Sequence, residues 1–257
     1  MEQETKWLVG EKYGGRVTAR NRGAVKKDVE RLNIGEPVDY VIGFVEFAGC
    51  KIDLSLRPLI PRVETEYWTE KAIDDTLDDS RTKGRKNLSC LDVFAGSGCV
   101  GIAVLKHVPY ITMDFAEKES AFLEQIKINL KLNNLRIEEQ KNRVIQSDVF
   151  SNIFGSYDYI FANPPYIAEA RKKEVQQSVL DWEPAGTVFG GKDGLIFIDK
   201  FLKDALAHLN SNGKLYMEFG SEQKPDVERI LKKYNYGKYD FYRDQFGSWR
   251  YATINGI

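Results

Sequence analysis

From Leu88 onward, short apolar runs alternate with longer stretches of helical periodicity, and few folds accept that order. Leu88–Phe94 reads as a strand, Cys99–His107 as a helix, Tyr110–Asp114 as a strand and Glu117–Asn133 as a long helix. Arg143–Gln146 and Tyr157–Ala162 read as strands, Gly194–Leu209 as a helix, Lys214–Phe219 as a strand and Glu222–Lys233 as a helix. Lys238–Tyr242 and Trp249–Thr253 close the pattern as two more strands. The alternation predicts an α/β fold: a seven-stranded, mostly parallel, Rossmann-like sheet with helices on both faces.

Ahead of this region, alternation around Ala48-Gly49 within residues 41–57 predicts a β-hairpin. Pro61 and the acidic residues after it mark a helix start, with the helix running to about Thr76 and a polar loop from Asp78 to Asn87. Residues 1–36 are polar, with a helix expected over Ala24–Leu32. We therefore divide the chain into a short N-terminal segment plus hairpin (1–58) and a main domain (59–257). Fewer than about 40 residues precede the hairpin, too few for a core of their own.

Ligands of open α/β sheets bind where strands end at their carboxyl edge, so the strand-end residues carry the functional reading. The run Tyr157–Ala162 is followed at once by Asn163-Pro164-Pro165-Tyr166. Two prolines stop the strand, because neither can donate to a ladder and both fix φ near −65°. Asn163 is thereby presented beside the Pro164 carbonyl: two acceptors at close quarters, with the flat ring of Tyr166 next to them. Together they suit a planar NH2 group held by both hydrogens. A delocalised nitrogen is a poor nucleophile, and acceptors that fix its two N–H bonds orient it and strengthen as it becomes positive during attack. The plainer reading is a Pro-Pro turn that closes a strand.

Three other strand ends offer groups suited to an adenosine. Asp92-Val93-Phe94-Ala95-Gly96-Ser97-Gly98 is a strand leading into a glycine-rich turn, where the backbone can approach a ligand. It lacks the Lys-Ser/Thr of a phosphate loop and the context of a dinucleotide fingerprint. Asp114 is positioned to accept from both ribose hydroxyls, Asp148 from an adenine amino group, and the Val149 N–H to donate to a ring nitrogen. Alone, each aspartate also reads as a loop-capping residue.

These residues resemble class I S-adenosylmethionine-dependent methyltransferases acting on amide or amino nitrogen. Leu59-Ile60-Pro61-Arg62-Val63-Glu64-Thr65-Glu66 resembles the Ile-Pro-Arg-Pro-x-Thr-Glu signature of the HemK/PrmC-type release factor glutamine methyltransferases. Glu36-Pro37, Asp181-Trp182-Glu183-Pro184, Met217-Glu218-Phe219-Gly220 and Arg243-Asp244 with Gly247 and Arg250 fall where that family has similar residues. The resemblance spans about residues 30–255. It implies methylation of the glutamine amide in the Gly-Gly-Gln motif of class I peptide release factors, with S-adenosylmethionine as donor. It also implies that Asn163 and Pro164 grip the amide, that Tyr166 packs on its plane, and that Pro165 and Glu183 wall the pocket. Arg62 and Glu66 would brace the site, a helix-start ion pair being their plainer role. Val63 stands where the family has proline, and Phe94-Ala95 where it has Gly-Thr or Gly-Ser. Phe94 is expected to follow the turn with a negative φ.

Composition bounds the rivals. The formal net charge is −1, which counts against nucleic acid as partner, because a DNA enzyme flips its base and holds the duplex on a basic surface. An amino-group methyltransferase for RNA or DNA and a non-catalytic adaptor on the same fold remain the alternatives. No apolar run long enough to span a bilayer occurs, and the three scattered cysteines carry no metal spacing. A cytoplasmic protein without membrane or metal partners is expected.

Overall fold

The computed structural model describes residues 2–82, 87–135 and 142–256. Helices α1 (Glu2–Tyr13), α2 (Arg22–Asn33) and α3 (Val38–Ile42) precede a hairpin of β1 (Phe44–Phe47) and β2 (Cys50–Asp53). Then come α4 (Val63–Thr82), β3 (Leu88–Val93), α5 (Cys99–His107), β4 (Ile111–Glu117), α6 (Ser120–Leu132), β5 (Arg143–Gln146) and β6 (Tyr157–Ala162). The remainder comprises α7 (Gln177–Trp182), α8 (Ala185–Val188), α9 (Ile196–Asp204), β7 (Leu209–Glu218), α10 (Lys224–Lys233), β8 (Tyr239–Arg243) and β9 (Trp249–Asn255).

Strands β3 to β9 form one seven-stranded sheet in the order β5-β4-β3-β6-β7-β9-β8. Neighbours are parallel from β5 through β7, and β9 runs antiparallel to both β7 and β8. The chain winds outward from β3 to β5, then returns to place β6 on the other side of β3. Beyond the carboxyl ends of β3 and β6 it therefore leaves the crevice of a topological switch point.

Each face of the sheet has its own core. One gathers Phe47 and Ile52 of the hairpin, Trp68 and Ala72 of α4, and Ile102 and Val104 of α5. The other packs Phe201 and Leu202 of α9 and Val227 and Leu231 of α10 against Val93, Ile160 and Met217. Helix α5 is apolar nearly all round because it is buried from Cys99 through Leu105. A Cβ on Gly101 would meet the Phe115 ring at 2.4 Å, so glycine there sets how closely α5 lies on β4.

The hairpin is held by side chains from three helices. Both turn residues take positive φ, Ala48 at 45° and Gly49 at 71°, the geometry that matches the twist of a two-residue hairpin. Glu66 accepts the Ala48 N–H at 2.6 Å and His107 Nε2 sits 2.7 Å from the Ala48 carbonyl. Along α6, Gln125, Asn129 and Asn133 recur every fourth residue on one face. They bond the backbone of Leu56, Asp53 and Lys51, the groups an edge strand leaves open.

Several boundaries differ from expectation. Val41 and Ile42 close helix α3 rather than open the hairpin, and α1 was not expected at all. Leu8, Leu32, Val41 and Ile42 bury one another, so the N-terminal helices do have a small shared core. Helix α4 continues to Thr82, through the start of the expected loop; residues 83–86 of that loop lie outside the described residues. Strand β4 continues beyond Asp114 to Glu117, with consequences for the site. No described helix is long and apolar enough to cross a membrane.

Candidate active site

A cleft opens over the carboxyl ends of β3, β4 and β6. Asp92, Phe94, Ala95, Gly96 and Ser97 line it from the first turn, Glu117 from the second, Asp148 and Val149 from the third, and Asn163 and Pro165 from the fourth. Arg62, Thr65, Gly186, Thr187 and Phe197 complete the wall. Gly98 lies just behind, with φ 78°, and a Cβ there would press on Ile102 and Ile126 at 3.1 and 3.2 Å.

Asp114 is not at this edge. It sits inside β4, paired across the sheet with Arg143, whose guanidinium grips both carboxylate oxygens at 2.9 and 2.5 Å. Tyr157 OH also donates to it at 2.8 Å. The carboxylate at the strand end is Glu117. Its two oxygens accept the Gly96 and Glu119 N–H groups, each at 2.8 Å, which ties the ends of β3 and β4 together. Burial pushes the Glu117 carboxyl up, against the pull of those N–H groups. Of these two carboxylates, then, it is Glu117 and not Asp114 that lines the cleft.

The first turn is strained where glycine was absent. Phe94 has φ 61°, not the negative value expected, a conformation that costs a non-glycine residue about 1–2 kcal/mol. Its ring packs against Phe197 and Phe201, with centroids 6.1 Å away in each case, and such aromatic contacts offset the strain. Val149 on the facing wall also has positive φ, 60°. Ser147 Oγ holds that turn, donating to the Val149 carbonyl at 2.8 Å and accepting the Asn152 N–H at 3.0 Å. Asp148 pairs with Lys200 at 2.8 Å and stays partly exposed.

Asp92 is buried, accepts the Gly101 N–H at 2.9 Å and has its carboxyl pushed up to about 7 by burial, with the Glu117 charge adding to the rise. The cleft therefore combines a carboxylate at a strand end, an acidic wall and a rigid turn with a backbone amide. That donor set fits an adenosine carrying a cationic tail.

Asn163 ends β6 and donates from Nδ2 to Thr65 Oγ1 at 3.2 Å. Thr65 donates to Glu218 Oε2 at 2.7 Å, and Trp68 Nε1 to the same oxygen at 2.6 Å. Tyr166 OH donates to Glu218 Oε1 at 2.9 Å and accepts from Arg250 Nη1 at 3.3 Å. Burial pushes the Glu218 carboxyl up, opposed by the Trp68, Thr65 and Tyr166 hydrogen bonds and the Arg250 charge. Tyr166 is thus committed to Glu218 and Arg250, and neither it nor Pro164 is among the residues lining the cleft. Glu183 also stands behind the wall. It pairs with Arg62 at 2.5 Å and accepts the Ile60 N–H at 3.3 Å. Glu66 braces the hairpin turn instead of pairing with Arg62.

The sequence reading gave no role to Glu117, Thr65 or Trp68, although all three stand in quoted motifs or beside them. Their signal is three-dimensional, since Thr65 meets a carboxylate 153 positions later. Removing Arg62 leaves the buried Glu183 carboxylate with one backbone donor. Arg62→Met is therefore expected to destabilise the fold by on the order of 2–3 kcal/mol, discounting for the part-exposed guanidinium; thermal melting checks it.

The chain matches the family model described as "Methyltransferase small domain" over residues 75–183. The release factor glutamine methyltransferase of Streptococcus pneumoniae is 32% identical over 239 residues, covering 93% of this chain and 81% of that protein. The protein of the same name from Flavobacterium psychrophilum is 30% identical, covering 88% of this chain and 77% of that one. Among solved structures, a methyltransferase from Pyrococcus furiosus superposes with TM-score 0.55 at 20% identity, covering 81% of this chain and 90% of that chain. The 16S rRNA methyltransferase RsmC of T. thermophilus, in complex with AdoMet and guanosine, gives TM-score 0.57 at 13% identity over 83% of this chain and 50% of that one. The two structural likenesses establish the fold alone.

Proposed function

The chain belongs to the release factor glutamine methyltransferase family, and from that premise we propose that it methylates the glutamine amide nitrogen in the Gly-Gly-Gln motif of class I peptide release factors. The methyl donor is S-adenosylmethionine, which brings an already activated methyl group on a sulfonium. The observation that carries the reading is Asn163, set by two prolines at the end of β6 and opening onto a cleft whose other walls end β3 and β4.

In this reading Glu117 accepts from the ribose hydroxyls, while Asp148 and the Val149 N–H address the adenine. The Phe94-to-Gly98 turn lies under the rest of the cofactor, with Asp92 beside it. The Asn163 oxygen and the Pro164 carbonyl accept the two hydrogens of the glutamine NH2. Both acceptors sit on a turn whose backbone cannot relax, so the nitrogen is oriented before attack and its growing positive charge meets fixed dipoles. Tyr166 supports the turn through Glu218, and Arg62 with Glu183 holds the opposite wall. The partner is a class I release factor, and the protein works with the translation machinery in the cytoplasm.

Radiolabelled methyl transfer tests this. Label should enter purified release factor, vanish with the Gln→Ala variant of its Gly-Gly-Gln motif and not enter bulk RNA. Label in RNA alone, or equal label on the Gln→Ala variant, would overturn the reading in favour of amino-group methylation or another site. Absence of any binding heat with S-adenosylmethionine would favour an adaptor.

The raised Asp92 carboxyl gives a second test. At about 7 the group is half protonated in the free protein near neutrality. A cationic ligand beside it favours the carboxylate, so binding releases a proton between the lowered value in the complex and about 7. Cofactor affinity is expected to rise with pH up to that point and then level off. Calorimetry at pH ~6 in buffers of different ionisation enthalpy reads the released proton. Heats that do not depend on the buffer would refute it.

A further inference from the structure

We propose that Thr65 and Glu218 are positioning residues that fix the polarity of the Asn163 amide, so that its oxygen, not its nitrogen, is presented to the cleft. The proposal rests on the substrate reading above and adds how the acceptor is kept an acceptor.

The protons available to these side chains fix the polarity. The Trp68 indole N–H can only donate, so Glu218 Oε2, 2.6 Å away, accepts from it. Thr65 Oγ1 lies 2.7 Å from the same oxygen, and with Glu218 ionised, the form its hydrogen-bond donors and the Arg250 charge favour, the single Thr65 proton fills that gap. Having spent its proton, the Thr65 oxygen can only accept on its other side. There it meets Asn163 at 3.2 Å, and the group that can donate is Nδ2. Were Asn163 turned over, its carbonyl would face the Thr65 oxygen with no hydrogen between them. Thr65, Trp68 and Glu218 are at most 2% exposed, so the bonds among these three are closed to water. On the other arm Arg250, also donor-only, points to Tyr166, which passes its own proton to Glu218 Oε1. Both arms thus direct protons toward one buried carboxylate, and Asn163 is the end of the chain that reaches the cleft.

An amide substrate offers two hydrogens where its acid analogue offers lone pairs. The consequence is a preference, in binding, for release factor carrying glutamine over the same protein carrying glutamate. Thr65→Val keeps the shape but removes the acceptor, and Thr65→Ser keeps the acceptor. With S-adenosylhomocysteine present, wild type and Thr65→Ser should bind the glutamine form at least about tenfold more tightly than the glutamate form. In Thr65→Val that ratio should fall toward one and kcat should drop roughly 30-fold, with cofactor affinity unchanged. A merely structural role would lower melting temperature and activity but leave the ratio in place. A Thr65→Val protein that still prefers glutamine overturns the proposal.

A readout independent of substrate keeps the two ideas separable. The Asn163 side-chain NH2 resonances, assigned by their loss in Asn163→Ala, should exchange slowly with solvent in wild type and Thr65→Ser and rapidly in Thr65→Val. Equal exchange in all three overturns the relay. If wild type binds both forms alike while the exchange pattern holds, the substrate reading fails and the relay stands.

Discussion

Asn163→Ala is expected to lower kcat for methyl transfer roughly 100- to 1,000-fold, on the scale of deleting one preorganised hydrogen-bonding group at a site of developing charge. Cofactor affinity should stay near the wild-type value, because Glu117, Asp148 and the glycine turn are untouched. The substitution removes an acceptor that gains strength only as the attacking nitrogen turns positive, so the loss belongs in kcat more than in KM. Folding should survive: Thr65 loses one donor but keeps its bond to Glu218, and the two prolines still end β6. Single-turnover rates with saturating release factor, set beside calorimetric cofactor affinity, measure both halves. If the variant instead fails to fold, or loses cofactor binding in proportion to rate, Asn163 is a turn residue and not part of the chemistry.

What could be read from the chain alone follows from how local each signal is. The Asn163-Pro164-Pro165 turn was legible because proline imposes its geometry without help from distant residues. The succession of strands and helices along the chain and the glycine turn were legible for a similar reason: period and turn chemistry are written within a few positions. Phe94 was misjudged because local preference argues against positive φ for an aromatic. The value it takes is set by Phe197 and Phe201, more than a hundred positions later, whose rings receive its own. Tyr166 was expected to lay its ring on the substrate because of its place beside Asn163; that β7 and β9 bring Glu218 and Arg250 to its hydroxyl is not written near it in the chain. The first helix was missed because a helix that buries only Leu8 shows almost no apolar stripe. It holds through contacts with α2 and α3 that periodicity cannot display.

The end of β4 is the most consequential of these cases and leads to the second large effect. An aspartate after Ile111-Thr112-Met113 looks like a strand end, because an unpaired carboxylate in a buried strand is costly. Arg143 and Tyr157 remove that cost, and Phe115-Ala116 carry the strand on to Glu117. Two neighbouring carboxylates therefore separate into different duties, and mutation should separate them too. On the proposed reading Glu117→Ala removes the acceptor for two ribose hydroxyls; at about 1.5 kcal/mol or more for each bond to a charged group, S-adenosylmethionine affinity should fall about 100-fold or further. Glu117→Gln, which keeps one carbonyl oxygen, should fall less. Asp114→Ala should leave that affinity nearly intact while costing about 2 kcal/mol of stability, since Tyr157 and Arg143 lose their shared partner. Calorimetry and urea unfolding on the three variants decide the matter. A large loss of cofactor affinity in Asp114→Ala with none in Glu117→Ala would return the ribose to Asp114, and would require β4 to end where the sequence pattern first suggested.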